Sequence, residues 1–417
     1  MDKRLKLIIC FLLIFMMILT SCASAPIDLM NGIKPDNGGR LPENMNQKLS
    51  QSILNFAWNM FKENSKNDGN MMISPPSIYL ALAMTLNGAD GETKDAMLNA
   101  LSAQGISSEE LNIGLNDWMG YLMSDNRIAK LSIANSIWYR DGFEAEERFL
   151  QSNADYYNAT VKSLDFNDKS AVDEINKWVK NSTNNTIDKI VEQIGEDTIM
   201  YLINAIYFKG DWKNEFDGNK TRKSIFYAPD KEVEADFMNR RGEIKYLKGN
   251  DATGVILPYK DEQFAFVGLL PDEGISPREL INNFNALDLG LLIKSSEEKT
   301  IELTLPKFES SYEDGLVDEL SKLGMEIAFD PYNADFSLMQ QNRNKDLAIS
   351  EVKHKTFIKV DEKGTEASAV TSVAVDATSM PVEVPKIVFD RPFIYSVIDV
   401  MTGIPLFIGI MENPVLQ

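Results

Sequence analysis

An α+β fold is what this 417-residue sequence predicts. Three observations carry that expectation. Helical patterns crowd the first half, apolar β runs crowd the final third, and no βαβ alternation or internal repeat links the two. Length alone would allow two or three domains. Residues 46–417 contain no second linker and no low-complexity block, so they read as one domain.

The elements follow in order. In residues 47–62 (QKLSQSILNFAWNMFK), Leu49, Ile53, Phe56, Ala57 and Phe61 recur on one helical face. Ser74-Pro75-Pro76-Ser77 opens a second helix, almost wholly apolar and therefore buried. Residues 131–139 alternate as a strand, residues 148–157 return to helix, and residues 173–180 are amphipathic. Residues 200–209 (MYLINAIYFK) form a strand apolar on both faces, the type covered on both sides. Residues 300–306 and 357–360 read as strands, with a helix over 312–323 between them. Residues 393–400 and 405–411 flank Thr402-Gly403 as a buried hairpin.

The N-terminus reads as a targeting segment. MDKRLK is a basic start, and LIICFLLIFMMIL is an apolar stretch too short and wrongly flanked for an ordinary spanning helix. Leu19-Thr20-Ser21-Cys22 resembles the bacterial lipobox, which implies removal of residues 1–21 and lipid attachment at Cys22. Cleavage there discards Cys10, so no intramolecular disulfide and no thiol catalysis remain. Residues 22–45 mix Pro, Gly, Asn and charge without periodicity and read as a flexible tether. The expected location is the bacterial cell surface, lipid-anchored, or the medium beyond it.

Charge and motifs exclude several classes. A formal charge of −20 and the lack of a dense basic cluster argue against nucleic acid and against a heparin-type polyanion site. His354 is the one histidine, so a His-based metal cluster is excluded. G-x-S-x-G and GxxxxGK[ST] are both absent, and no cofactor is expected. A Ser-His-Asp triad would need His354 as its base. That residue lies in the alternation His354, Thr356, Ile358, Val360, which puts it on an apolar face as a buried structural histidine.

Several stretches converge on one family. NMMISPPSI (70–78), GADGET (88–93), NAIYFKGDW (204–212), LPKF (305–308), AFD (328–330) with ADFS (334–337), HKTF (354–357) and RPF (391–393) resemble serpin motifs in serpin order. EKGTEA (362–367) resembles the serpin hinge. The resemblance implies three β-sheets, eight or nine helices and an exposed reactive loop over about 362–385. It also implies that His354 lies under the central sheet with Ser74, Ser77 and Asn204, a cluster governing sheet opening, and that Trp212 marks where the loop enters. A monomer acting on a serine protease, rather than an enzyme, is the expected state.

The loop composition suits insertion as a strand. Alternate residues face opposite sides. Thr365, Ala367, Ala369, Thr371, Val373 and Val375 form one uncharged set; Glu366, Ser368, Val370, Ser372, Ala374 and Asp376 form the other and hold both charges. No proline interrupts residues 364–380, and Gly364 offers a permissive hinge beside Glu362. By the family spacing, sixteen residues on from Glu362, the scissile bond is Thr378–Ser379, with Ala377 and Val375 as alternatives. Small residues there point to an elastase-like or subtilisin-like protease; a trypsin-like one is disfavoured because no Lys or Arg lies between Lys363 and Lys386. The rival readings are a non-inhibitory serpin that binds or stores, disfavoured by the small hinge residues, and a surface hydrolase using His354. Protonation of His354 would be compatible with loop insertion favoured at lower pH.

Overall fold

The computed structural model describes residues 46–123, 128–196, 198, 200–365 and 384–415, together with the backbone of Ile27–Asp28. Helix α1 (Gln47–Asn64) starts where the Asn46 side chain accepts the Lys48 N–H, and it buries the five residues its periodicity singles out. Helix α2 (Pro75–Leu86) starts on two prolines, whose missing N–H groups cost nothing at a helix start, and is buried on every side. Around it stand α3 (Gly91–Ala100), α4 (Ser108–Leu122), capped by a reciprocal Ser107–Glu110 box, α5 (Glu147–Tyr157), and farther on α6 (Ser170–Ser182), α7 (Pro277–Asn283) and α8 (Ala286–Lys294).

One sheet has seven strands, in the order β1 (Ile27–Asp28), β4 (Thr160–Leu164), β3 (Lys130–Arg140), β5 (Met200–Asp211), β13 (Gly364–Thr365), β12 (Glu351–Val360) and β11 (Phe308–Gly315). The second has nine. Its path runs β14 (Lys386–Val388), β10 (Glu297–Pro306), β7 (Glu232–Lys248), β8 (Ala252–Pro258), β9 (Phe264–Pro271), β15 (Phe393–Asp399), β16 (Pro405–Met411) and β2 (Met71–Ile73), with β6 (Arg222–Tyr227) on β7. The three sheets expected are met in this form because β7, 17 residues long, belongs to two of them. It pairs with β6 and β10 along most of its length and with β8 at its end.

The main core lies between the sheets and the helices, where α2 crosses beneath β5. A second, smaller core occupies the outer face of the seven-stranded sheet. There Ile175 and Val179 of α6 pack with Trp138, Tyr201 and Ile203.

Two expectations need correction. Residues 312–323 are not one helix: the chain stays in β11 to Gly315, with Tyr312 opposite Thr356 and Asp314 opposite His354. Strand β11 is the sheet edge, so its outward positions are polar and hide the strand alternation. Helix then runs from Val317 and is broken at Gly324, whose φ of 95° no helix allows. The tether is also not wholly without structure, since Ile27 and Asp28 pair with Ser163 and Lys162 at the opposite edge. A two-residue ladder leaves no periodicity to read.

Candidate functional site

Strands β5 and β12 run parallel and pair from Tyr201–Glu351 to Asn204–His354. At the other end of the sheet β13 enters between them, with Thr365 paired to both Gly210 and Val360. The described residues add no further β5–β12 pairs. The site therefore has two parts: a polar cluster where the strands meet and an entry point where they are held apart.

The polar cluster holds four of the predicted residues together. His354 is 1% exposed, and its Nε2 accepts the Ser74 backbone N–H at 3.0 Å. The proton therefore resides on Nδ1, which is buried and has no partner among the described residues. Ser77 Oγ donates to Asn204 Oδ1, and Asn204 Nδ2 donates to Asn135 Oδ1 at 2.6 Å. Asn135 and Asn204 face each other in the β3–β5 ladder. Ser74 contributes through its main chain; its hydroxyl is buried with no partner among the described residues. Asn135 is a member that the sequence reading missed, and the strand periodicity of residues 131–139 was the signal available for it.

Burial pushes the His354 imidazole down to about 3. In this closed state burial therefore favours the neutral imidazole. No hydroxyl donates to it and no carboxylate orients it in the described structure, so it lacks the partners of a triad base.

The entry point is built around Trp212. Its ring is 1% exposed and stacks on Tyr259, with centroids 4.8 Å apart. Trp212 Nε1 donates to the Asp361 carbonyl at 2.9 Å, and the Trp212 and Phe216 N–H groups donate to the carbonyls of Lys363 and Glu362. The chain turns through Asp361–Gly364, closed by the Asp361 N–H on the Gly364 carbonyl at 2.9 Å. Thr365, 2% exposed, then shares a 2.6 Å hydrogen bond with the Tyr259 hydroxyl, so its side chain faces the core. Gly364 also meets a packing requirement. Its φ is not in the left-handed region; instead a Cβ there would lie 2.0 Å from the Gly210 carbonyl oxygen.

Glu362 anchors the turn. It accepts hydrogen bonds from Thr221 Oγ1 at 2.8 Å and from Lys307 Nζ, whose shortest contact is 2.9 Å. Burial works against its charge, but the bonds from Lys307 and Thr221 outweigh that and hold the carboxyl below its ordinary value. A carboxylate depressed in the fold stabilises it fully above the unfolded value, roughly 4.3, and progressively less as pH falls through the folded value. The thermal midpoint of the parent should therefore exceed that of Glu362→Gln by a constant margin from about pH 8 to 5, and the margin should shrink below about 4.3. A margin that grows on acidification would contradict this assignment.

Glu366, Ala367, Ser368, Ala369, Thr378, Ser379 and Cys22 lie outside the described residues.

A sheet whose two middle strands diverge to admit the base of a downstream loop, above a buried Ser–Asn–His cluster, defines a fold organised around an entering strand. The serpin (serine protease inhibitor) family profile matches residues 51–414, and the chain belongs to that family. It is 33% identical over 404 residues to an uncharacterized serpin-like protein of Thermococcus kodakarensis, covering 94% of this chain and 92% of that one. It is 31% identical over 378 residues to human neuroserpin, covering 87% and 91%. Among solved structures, the thermophilic serpin tengpin in its native state matches with a TM-score of 0.86 and 39% identity, covering 93% of this chain and 99% of that one. Thyroxine-binding globulin in complex with thyroxine matches at 0.81 and 27% identity, covering 88% and 100%.

Proposed function

We propose that this protein is a suicide inhibitor of extracellular serine proteases with small apolar S1 pockets, held at a bacterial surface through Cys22. The observation that carries this reading is β13: the base of the loop already pairs with both β5 and β12. The protease serine attacks the carbonyl of Thr378 and releases the amine of Ser379, leaving an acyl-enzyme. The freed segment then adds to the sheet and drags the protease until its active site is deformed.

If insertion extends the register of β13 toward the polar cluster, Glu366 would come between Lys209 and Lys359, and Thr371 between Asn204 and His354. Thr365 faces the core, so the uncharged set follows it inward. Lys359 lies 3.5 Å from Glu309, an exposed pair that is easily re-formed.

A non-inhibitory serpin is the second reading, since thyroxine-binding globulin shares the fold. Small hinge residues with no large or charged side chain on the inward set speak against it.

The test is incubation with subtilisin and with a pancreatic-type elastase, followed by denaturing electrophoresis and intact-mass analysis. A boiling-resistant complex with release of the peptide that begins at Ser379 is the expected result. Cleavage without a complex, together with no gain in thermal stability of the cleaved chain, would overturn the proposal.

A further inference from the structure

We infer, on the insertion mechanism proposed above, that the turn between β3 and α5 is latched to residues 339–341, and that this latch must open before a strand can pass between Asn204 and His354. An isolated antiparallel bridge, outside both sheets, pairs Ala145 with Gln340. The Glu146 N–H donates to the Met339 carbonyl at 2.8 Å, and the Gln341 N–H donates to the Glu144 carbonyl at 3.1 Å. Gln341 Nε2 adds a bond to the Ala145 carbonyl at 3.2 Å, and the Tyr139 hydroxyl donates to Met339 Sδ at 3.3 Å. Ala145, Met339 and Gln340 are all buried. Bonds shielded from water in this way are expensive to leave unmade.

The two sides of the latch belong to bodies that have to part. The turn travels with β3 and β4, because the Asp141 N–H donates to the Leu164 carbonyl at 2.8 Å. Strand β3 in turn pairs with β5 from Lys130–Lys209 to Tyr139–Met200. Residues 335–339 are fixed to α2 and α3 instead. The Asp90 N–H donates to the Asp335 carbonyl at 2.9 Å, the Asp335 N–H to Thr93 Oγ1 at 2.8 Å, and the Leu338 N–H to the Gly88 carbonyl at 3.2 Å. Met339 sits so close to Gly88 that a Cβ there would lie 2.1 Å from its Cγ. Strand β12 shares this second body, through the Ser74 N–H on His354 and Thr356 Oγ1 on the Met72 carbonyl.

Neighbouring strands lie about 4.8 Å apart. A strand admitted beside Asn204 therefore carries β3 and β5 away from β12 by about that distance, far beyond the tolerance of a hydrogen bond. The 144–146 ladder crosses the same line of parting. It resists opening of the sheet at the end remote from Trp212, where the loop base enters.

Ala145 and Gln340 face each other as a non-hydrogen-bonded pair, since the ladder bonds fall on their neighbours. Such a pair has Cα atoms about 4.5 Å apart, within disulfide range. The test is Ala145→Cys with Gln340→Cys in the full chain, with Cys10→Ser and Cys22→Ser so that the new pair are its only thiols. The loop is nicked with subtilisin, the cut is confirmed by intact mass, and the rise in thermal midpoint on nicking is compared with the bridge closed and open. The reduced protein should show the full rise, and the oxidised protein less than half of it. Equal rises in the two states would overturn the latch, whereas no rise in either would overturn insertion itself. Gln341→Ala deletes one bond of the latch without a cross-link. Held a few degrees below its thermal midpoint, that intact variant should become resistant to loop cleavage on the order of fivefold sooner than the parent. A time equal to the parent's or longer would overturn the latch.

Discussion

Under the proposed trapping mechanism, Thr365→Arg should turn trapping into simple cleavage. Thr365 is the innermost described residue of the loop base, 2% exposed, with its hydroxyl on Tyr259 and its backbone paired to β5 and β12. A guanidinium there has no carboxylate waiting for it, and an unpaired buried charge costs about 3–5 kcal/mol. Trapping is a race between insertion and hydrolysis of the acyl-enzyme. If that cost falls on the first step of insertion, its rate drops roughly 150- to 5000-fold, while deacylation by the protease is unaffected. The variant should be cut at Thr378–Ser379 as fast as the parent and form no stable complex. Thr365→Ser, which keeps the hydroxyl and adds no charge or bulk beneath the strand, should behave like the parent. Complex formation by Thr365→Arg in undiminished yield would show that a charge buried at this position does not slow insertion.

Cutting the loop should raise the thermal midpoint sharply. About a dozen new ladder positions, at roughly 1 kcal/mol of net hydrogen bonding each, amount to on the order of 10 kcal/mol. For a domain of this size that corresponds to a shift on the order of 10–20 °C. The β13 register adds a specific signature. Glu366 would lie between two lysines on the outer face of the sheet, so Glu366→Lys should reduce the rise on cleavage while leaving the midpoint of the intact chain nearly unchanged. Scanning calorimetry of the intact and nicked forms of both proteins measures this. Equal rises in both would mean that the inserted strand takes a different register, and no rise in either would mean that it does not insert.

Much of this was legible in the sequence because the relevant patterns are local. The period of two through His354, Thr356, Ile358 and Val360 placed all four on the buried face, where the structure has them. The apolar run beginning at Ile78 announced a helix buried all round, and Trp212, Asn204 and Ser77 sit where motif resemblance put them. What escaped depends on partners distant in the chain. Tyr259 and Lys307 touch the loop base only because the end of β8 and the β10–β11 junction deliver them to it, and nothing in either local sequence marks a contact with residues 362–365. Edge strands escaped for a related reason. Polar alternation on β11 looked helical because an edge strand has no second neighbour to demand apolar side chains. At Gly364 the assembled sheet adds a constraint the sequence does not show, the proximity of a Cβ to the Gly210 carbonyl.

The short strand β1 sets a length scale. Ile27 is pinned to Ser163 at the outer edge of the seven-stranded sheet, and it is only five residues on from Cys22. Fully extended, five residues reach about 18 Å. If Cys22 bears a lipid, this edge is moored within that distance of the bilayer, and the tether is a short leash rather than a stalk for the domain. An approaching protease would then meet an inhibitor lying against the membrane, with its freedom to tumble curtailed on one side.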